Sequence, residues 1–357
     1  MFNATRLAVA RKRRQLTKKA LAVKARVAQL TLTRIENGDT TDPDKETVNR
    51  LADALAYPVE FFYLDDCEPL CTESVSFRSL SSLTARQRDA ALAAGTIAFL
   101  LDDWVTERFN LPAPDLLDLR DESPQAAATA LRDYWGIGSK PIPHMTKLLE
   151  AKGVRVFSLS EKNKNVDAFS CWRGKNPYMF LNTFKSAERS RYDAAHELGH
   201  LVMHIHGASS GNRDVERDAD QFASAFLIPR GDLISHMQRV SSLSQLLSQK
   251  QRWGVSVAAL ARTAFDAGLM SDWHYRDLCR TMSTLGYRSK EPDPKPREES
   301  VLWKKVFETL WRDRKTKEDV SKELCLPPDE IESLLSGLYG EIPVRIGEPV
   351  RPSLRAV

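Results

Sequence analysis

The sequence predicts a mainly α-helical protein with one small antiparallel β-sheet, an α+β chain. Three observations carry this. Apolar residues recur at helical spacing behind cap-type residues along most of the chain. Only residues 154–181 hold short runs of β-type residues between turn residues. The 357 positions also exceed the ~100–200 residues of one ordinary domain, so two or three units are expected. The expected units are a five-helix domain at 1–66, a linker with a long helix at 67–122, an α+β domain at 123–235 and a helical C-terminal region at 236–357.

In the first unit, Leu7, Ala8 and Ala10 mark a helix over Thr5–Arg14, and Thr17 offers an N-cap for a second through Ala20, Leu21 and Ala22. Ala28–Asn37 follows, with Leu32 and Ile35 as a buried pair and Gly38 as its C′ residue. Helices at Lys45–Ala56 and Pro58–Tyr63 complete the five. Residues 1–40 hold ten basic against two acidic side chains, a net +8, while the whole chain is only +4. That asymmetry points to a polyanion partner for this unit alone.

The residues Leu16-Thr17, Ala20-Leu21-Ala22, Thr33-Arg34-Ile35-Glu36-Asn37-Gly38, Glu46-Thr47, Leu51-Ala52, Ala54-Leu55 and Phe61-Phe62 make this unit resemble the XRE/Cro-like helix-turn-helix family. The resemblance implies that Ala28–Glu36 enters the major groove of an operator in double-stranded DNA. Lys18, Gln29, Thr31, Thr33 and Arg34 are then the candidate contacts. Such domains usually bind as pairs on two-fold sites, which points to a homodimer. Two residues depart from the family: Lys18 stands where Gln is frequent, and Arg26 where the turn usually has Gly.

A long helix is expected over Thr84–Phe109, ended by Pro112 and Pro114, serving as a spacer or a dimer surface. A helix at His144–Ala151 precedes three β-like runs, Val154–Leu159, Asp167–Trp172 and Tyr178–Leu181. Another helix opens near Ser186 or Ala187.

Within that helix His196 and His200 are four apart, about one turn, so both imidazoles share a face and can meet one zinc ion. Glu197 sits beside the metal without binding it and can act as the base toward a water that zinc acidifies. Zinc peptidases that bind their metal from a helix carry the pattern His-Glu-x-x-His, and His196-Glu197-Leu198-Gly199-His200 has that form. Gly199 is read as leaving room for metal and substrate. A third ligand is expected from the next helix, Asp214–Leu227, where Glu216 and Asp220 lie one turn apart on one face. Asp218 points roughly 160° away from them. His204, four residues beyond His200, keeps a triad of histidines open as an alternative, and His206 follows it. Two histidines and one carboxylate also suit manganese or iron, although the adjacent Glu favours zinc. Arg189, Arg191 and Tyr192 are candidates for positioning substrate, with packing as the rival role.

Residues 75–230 resemble the ImmA/IrrE metallopeptidases in the form fused to an XRE domain. The matching segments are Val75-Ser76-Phe77-Arg78, Pro141-Ile142-Pro143, Leu149–Val154, Ala168-Phe169-Ser170, Leu181-Asn182-Thr183, Ser186–Asp193, His196–His200, Glu216–Asp220 and Phe226–Pro229. The resemblance implies a zincin-like, gluzincin-type domain with His196, His200 and Glu216 as zinc ligands, Glu197 as catalytic base and Asp220 orienting a bound His. It also implies a protein substrate of the repressor type, whose cleavage releases stress or mobile-element genes. Asp218 stands where many relatives have a second Glu.

The remainder is less informative. Helices are expected at Asp232–Val240, Leu243–Trp253 and Val257–Ala267, with Ser256 and Ser271 as caps, and a Pro-rich charged linker at Lys290–Glu299. The layout around Pro327-Pro328 faintly suggests a second helix-turn-helix, against a packing or partner-sensing role. Cys67, Cys71, Cys171, Cys279 and Cys325 are scattered, so free thiols are expected. No apolar run approaches the ~18 residues of a membrane span, and a cytoplasmic protein is expected. Three functions fit: a DNA-binding regulator with a zinc endopeptidase domain, a non-catalytic zinc-sensing transcription factor, or an antitoxin-like regulator.

Overall fold

The computed structural model describes residues 1–71, 75, 83–159, 168–204, 213–287 and 289–339. Residues 76–78, Asp167 and His206, on which parts of the reading above fall, lie outside them.

The first unit consists of α1 (Ala4–Arg13), α2 (Lys18–Ala25), α3 (Gln29–Glu36) and α4 (Lys45–Leu55), closed by Val59–Tyr63. The fifth expected helix is therefore a short 3-10 segment. Thr17 caps α2 by accepting the Ala20 N–H, as its position predicts. Leu7, Leu21, Leu32, Ile35, Leu51, Phe61 and Phe62 are buried at its centre. Arg26 takes the left-handed conformation, with φ 54° and ψ 44°, that a Gly would adopt freely. The departure from Gly thus leaves the turn geometry intact and puts its cost on the Arg backbone.

Thr84 opens α5 (Ala85–Thr106) with a capping box to Gln87. This helix is neither a spacer nor an open dimer surface. Ala91, Ile97, Leu101, Trp104 and Val105 are buried in one core with the first unit and with residues 303–335. After α6 (Pro124–Tyr134) and α7 (Met145–Ala151) come β1 (Arg155–Ser158), β2 (Phe169–Arg173) and β3 (Asn176–Leu181), ordered β1-β3-β2. The sheet is mixed, not antiparallel. A two-residue turn with Gly174 at φ 57° folds β2 back on β3, while β1 takes the other edge of β3 in parallel, from Arg155 opposite Tyr178 to Ser158 opposite Leu181. Period-2 patterning marks strands but not their direction.

The long helix α8 (Ala187–Met203) packs under this sheet, and α9 (Arg213–Leu227) packs against α8 and α6. They share a second core with α10 (Arg230–His236), α11 (Leu243–Trp253), α12 (Val257–Asp266) and α13 (Asp272–Thr284), so the packing carries on past residue 235. Ser256 and Ser271 cap α12 and α13 as expected, whereas α10 stops at His236, short of Val240.

Residues 290–299 have no regular structure, yet they are not a free linker. They form a strap across the start of α8. The Lys295 N–H donates to Glu188 at 2.6 Å, Arg191 pairs with Glu298 at 2.5 Å, and Arg297 donates to the Ser190 hydroxyl at 3.1 Å. Glu150 of α7 then caps α14 (Val301–Arg312), accepting the Val301 and Leu302 N–H groups at 2.9 Å each.

Two further helices, α15 (Lys317–Glu323) and α16 (Pro328–Leu335), return the chain to the first unit. Glu330, 1% exposed, accepts from Arg13 Nε at 2.6 Å and from the Tyr57 hydroxyl at 2.8 Å, and Arg14 pairs with Asp329 at 2.6 Å. Glu330, Ile331, Leu334 and Leu335 of α16 are buried, and its exposed residues, Pro328, Asp329 and Glu332, carry no basic group to meet DNA, so its role is packing. Glu330→Ala is expected to cost about 3 kcal/mol, because it removes the carboxylate that pairs with Arg13 and Arg14 and leaves the buried Tyr57 hydroxyl without its acceptor. Chemical unfolding of the full chain measures it, and a loss under about 1 kcal/mol would contradict the assignment. Among the described residues no helix is long and apolar enough to cross a membrane.

Candidate metal centre

Ser186 starts α8 by accepting the Arg189 N–H at 3.2 Å, and the helix then carries His196, Glu197 and His200 against α9. A Cβ on Gly199 would stand 3.0 to 3.3 Å from three atoms of the fully buried Phe222 of α9. Gly199 is therefore small so that α9 can approach α8, and the expectation that it clears space for metal and substrate is corrected. Gly199→Ala is expected to push the helices apart, to destabilise by about 1–3 kcal/mol and to weaken metal binding by displacing Glu216. Metal titration of the variant checks this, and wild-type affinity would contradict it.

That approach brings three ligand atoms together. The Nε2 atoms of His196 and His200 lie 3.1 Å apart, and the Glu216 carboxylate lies 3.3 Å from the first and 3.8 Å from the second. Tetrahedral zinc with bonds of ~2.0–2.1 Å separates its ligand atoms by about 3.3 Å. The donor set therefore fits the ion, and three protein ligands leave one position open. Among the described residues this is the one group of three such side chains that converge in this way. The five cysteines are free thiols.

Residues 149–265 match the family described as the IrrE N-terminal-like domain, Peptidase_M78, and residues 7–62 match a helix-turn-helix family, HTH_3. The chain thus carries a helix-turn-helix domain and, further along, an IrrE-like, metallopeptidase-like domain. No curated protein matches the chain.

Around the three residues the IrrE-like domain supplies partners. Asp220 accepts from His196 Nδ1 at 2.9 Å, one turn beyond Glu216. Asp218 is not part of the group. His204 meets Nδ1 of His200, on the side of that ring away from His196, and does not form a third ligand. Burial opposes charge on His196, but Asp220 and Glu216 outweigh it and raise the imidazole to about 10. Burial, then the neighbouring His196, holds His200 well below its ordinary value. Burial also pushes the Glu197 carboxyl up to about 8, against the pull of His196 and of a hydrogen bond from Ser170.

That bond, from the Ser170 hydroxyl to Glu197 Oε2 at 2.7 Å, comes from β2 and marks a residue that sequence reasoning did not single out. The available signal was a serine between apolar residues in a buried strand. The flanking α8 residues are structural. Arg191 is buried and donates to Trp253 and Ile142 carbonyls, Arg189 pairs with Asp193, and the Tyr192 hydroxyl donates to the Asp220 carbonyl.

In the helix-turn-helix domain Gln29, Thr31 and Arg34 lie on the open face of α3. Two other predicted contacts are engaged within the protein: Thr33 donates to the Gln29 carbonyl at 2.9 Å, and Lys18 reaches Asn37 at 3.2 Å and Glu36 at 3.4 Å. Much of the basic charge is also used internally, since Arg11 is bidentate on Glu36 while Arg13 and Arg14 bind α16. Lys12, Lys19, Lys24, Arg26 and Arg34 remain exposed. Leu30, 63% exposed on the same open stretch, is an apolar group that sequence reasoning passed over.

Proposed function

We propose that the chain is a cytoplasmic, DNA-binding transcriptional regulator whose IrrE-like domain is a zinc-dependent endopeptidase that cuts a repressor-type protein. The observation supporting this most strongly is the convergence of His196, His200 and Glu216 with a buried carboxylate, Glu197, on the same helix turn. Sites that only hold a structural ion need ligands but no base. When bound, zinc supplies the Lewis acidity that lowers the pKa of a water and polarises a peptide carbonyl. Glu197 accepts the proton from the attacking water and delivers it to the leaving amine. Ser170 holds one oxygen of that carboxylate and so fixes the orientation of the group beside the ligands. Asp220 keeps the His196 ring oriented for Nε2 ligation.

The first domain brings this activity to a double-stranded operator, as a homodimer on a two-fold site, controlling stress or mobile-element genes. Gln29, Thr31 and Arg34 read base edges, Leu30 meets a thymine methyl, and Lys18 and Thr33 support the helix they touch. Operator binding measured from 50 to 200 mM salt is expected to fall about tenfold or more, and Arg34→Ala is expected to cost about 1–3 kcal/mol and relax base preference at one position. Salt-independent binding would count against the DNA reading. For the peptidase, zinc-loaded wild type and Glu197→Gln are incubated with repressor-type proteins, and fragments are read by mass spectrometry. Cleavage by the wild type alone supports the reading. Identical digests, or none with any repressor tried, point to a zinc domain without turnover.

A further inference from the structure

We propose that His204 is a positioning residue for His200: a neutral imidazole that accepts the Nδ1–H of His200 and so presents Nε2 of that ligand to the metal. The inference rests on the zinc reading above and adds to it the partner of the second histidine.

The argument starts from which nitrogen faces the ion. His200 Nε2 lies 3.1 Å from His196 Nε2 and 3.8 Å from Glu216, so Nε2 is the metal-facing atom. A neutral imidazole that ligates through Nε2 carries its one hydrogen on Nδ1. In front of Nδ1, at 3.1 Å, stands Nδ1 of His204. Two N–H groups cannot point at each other across that distance, so the His204 nitrogen presents a lone pair and its own hydrogen sits on Nε2.

The backbone holds this pair in place. His204 is the residue that ends α8, and its N–H donates to the His200 carbonyl at 3.0 Å. Residues four apart on a helix share a face, and the two rings lie with centroids 5.2 Å apart. The site is then asymmetric. His196 leans on a carboxylate, Asp220, while His200 leans on an uncharged ring. An outer partner of this kind fixes ring orientation and is worth about 10–100-fold in metal affinity.

The test uses the full chain and zinc alone, in competition with a chromophoric chelator. Wild type is expected to hold one zinc. His204→Leu, which keeps bulk but removes the acceptor, is expected to bind zinc 10–100-fold more weakly. His204→Asn, whose Oδ1 falls where Nδ1 was, is expected to bind close to wild type. Nitrogen-15 NMR of the zinc-loaded wild type should show His204 protonated at Nε2 and bare at Nδ1. Equal affinity of His204→Leu and wild type overturns the role of His204 while leaving the zinc site standing, and so does an Asn variant as weak as Leu. A wild type that holds no zinc overturns the metal reading and this inference with it.

Discussion

On the proposed peptidase reading, Glu197→Gln is expected to leave one zinc ion bound and to lower the rate of substrate cleavage by about a hundredfold or more. The general-base step alone contributes some 10²–10⁴-fold. An amide oxygen in this position accepts a hydrogen bond but not a proton. The substitution is also gentle on the fold. Gln matches Glu in volume, its oxygen can still accept from the Ser170 hydroxyl, and it relieves a carboxyl that burial already pushes up to about 8. Zinc content and unfolding should therefore match the wild type. A variant that retains more than a tenth of the wild-type rate would show that another group takes the proton.

The second large effect is on the metal itself. Glu216→Ala is expected to weaken zinc binding by more than the ~10–100-fold that loss of an outer partner costs, since it removes a ligand. It also leaves His196 without one of the two carboxylates that raise it to about 10, so its protons compete less with the metal. The net loss still dominates, because two ligands cannot close a site built for three. Stoichiometric zinc in Glu216→Ala at micromolar metal would remove Glu216 from the ligand set.

Much of this site was legible in the sequence because its logic is local. His196, Glu197 and His200 need only the pitch of one helix to be placed together, and Glu216 with Asp220 needs only the same pitch on the next. The structure brings these five to one place. The caps at Thr17, Ser256 and Ser271 were legible for the same reason. What escaped was contact between distant segments. Period-2 patterning could not tell that β1 runs parallel to β3, and Ser170 meets Glu197 from another element. The reason for Gly199 lies in Phe222, on a different helix. The strap at 290–299 read as a linker because its charges look solvated until Glu188, Arg191 and Ser190 are seen beneath it. Net charge misled in the same way: Arg13 and Arg14 count toward a DNA-binding face in the sequence, but α16 claims them.

That last contact ties the two matched domains together. Residues 300–335 begin on Glu150 and end on Arg13, so a short helical module is bonded to the α+β unit at one end and to the helix-turn-helix at the other. The metal centre lies outside that module, on α8 and α9.

The central claim, that His196, His200 and Glu216 hold one catalytic zinc, is tested most directly by zinc-edge X-ray absorption on the full-length protein after dialysis against equimolar zinc. The account predicts one zinc per chain with two imidazole nitrogens and carboxylate or water oxygens at ~2.0–2.1 Å. A sulfur neighbour at ~2.3 Å, a single imidazole, or no stoichiometric zinc would contradict it.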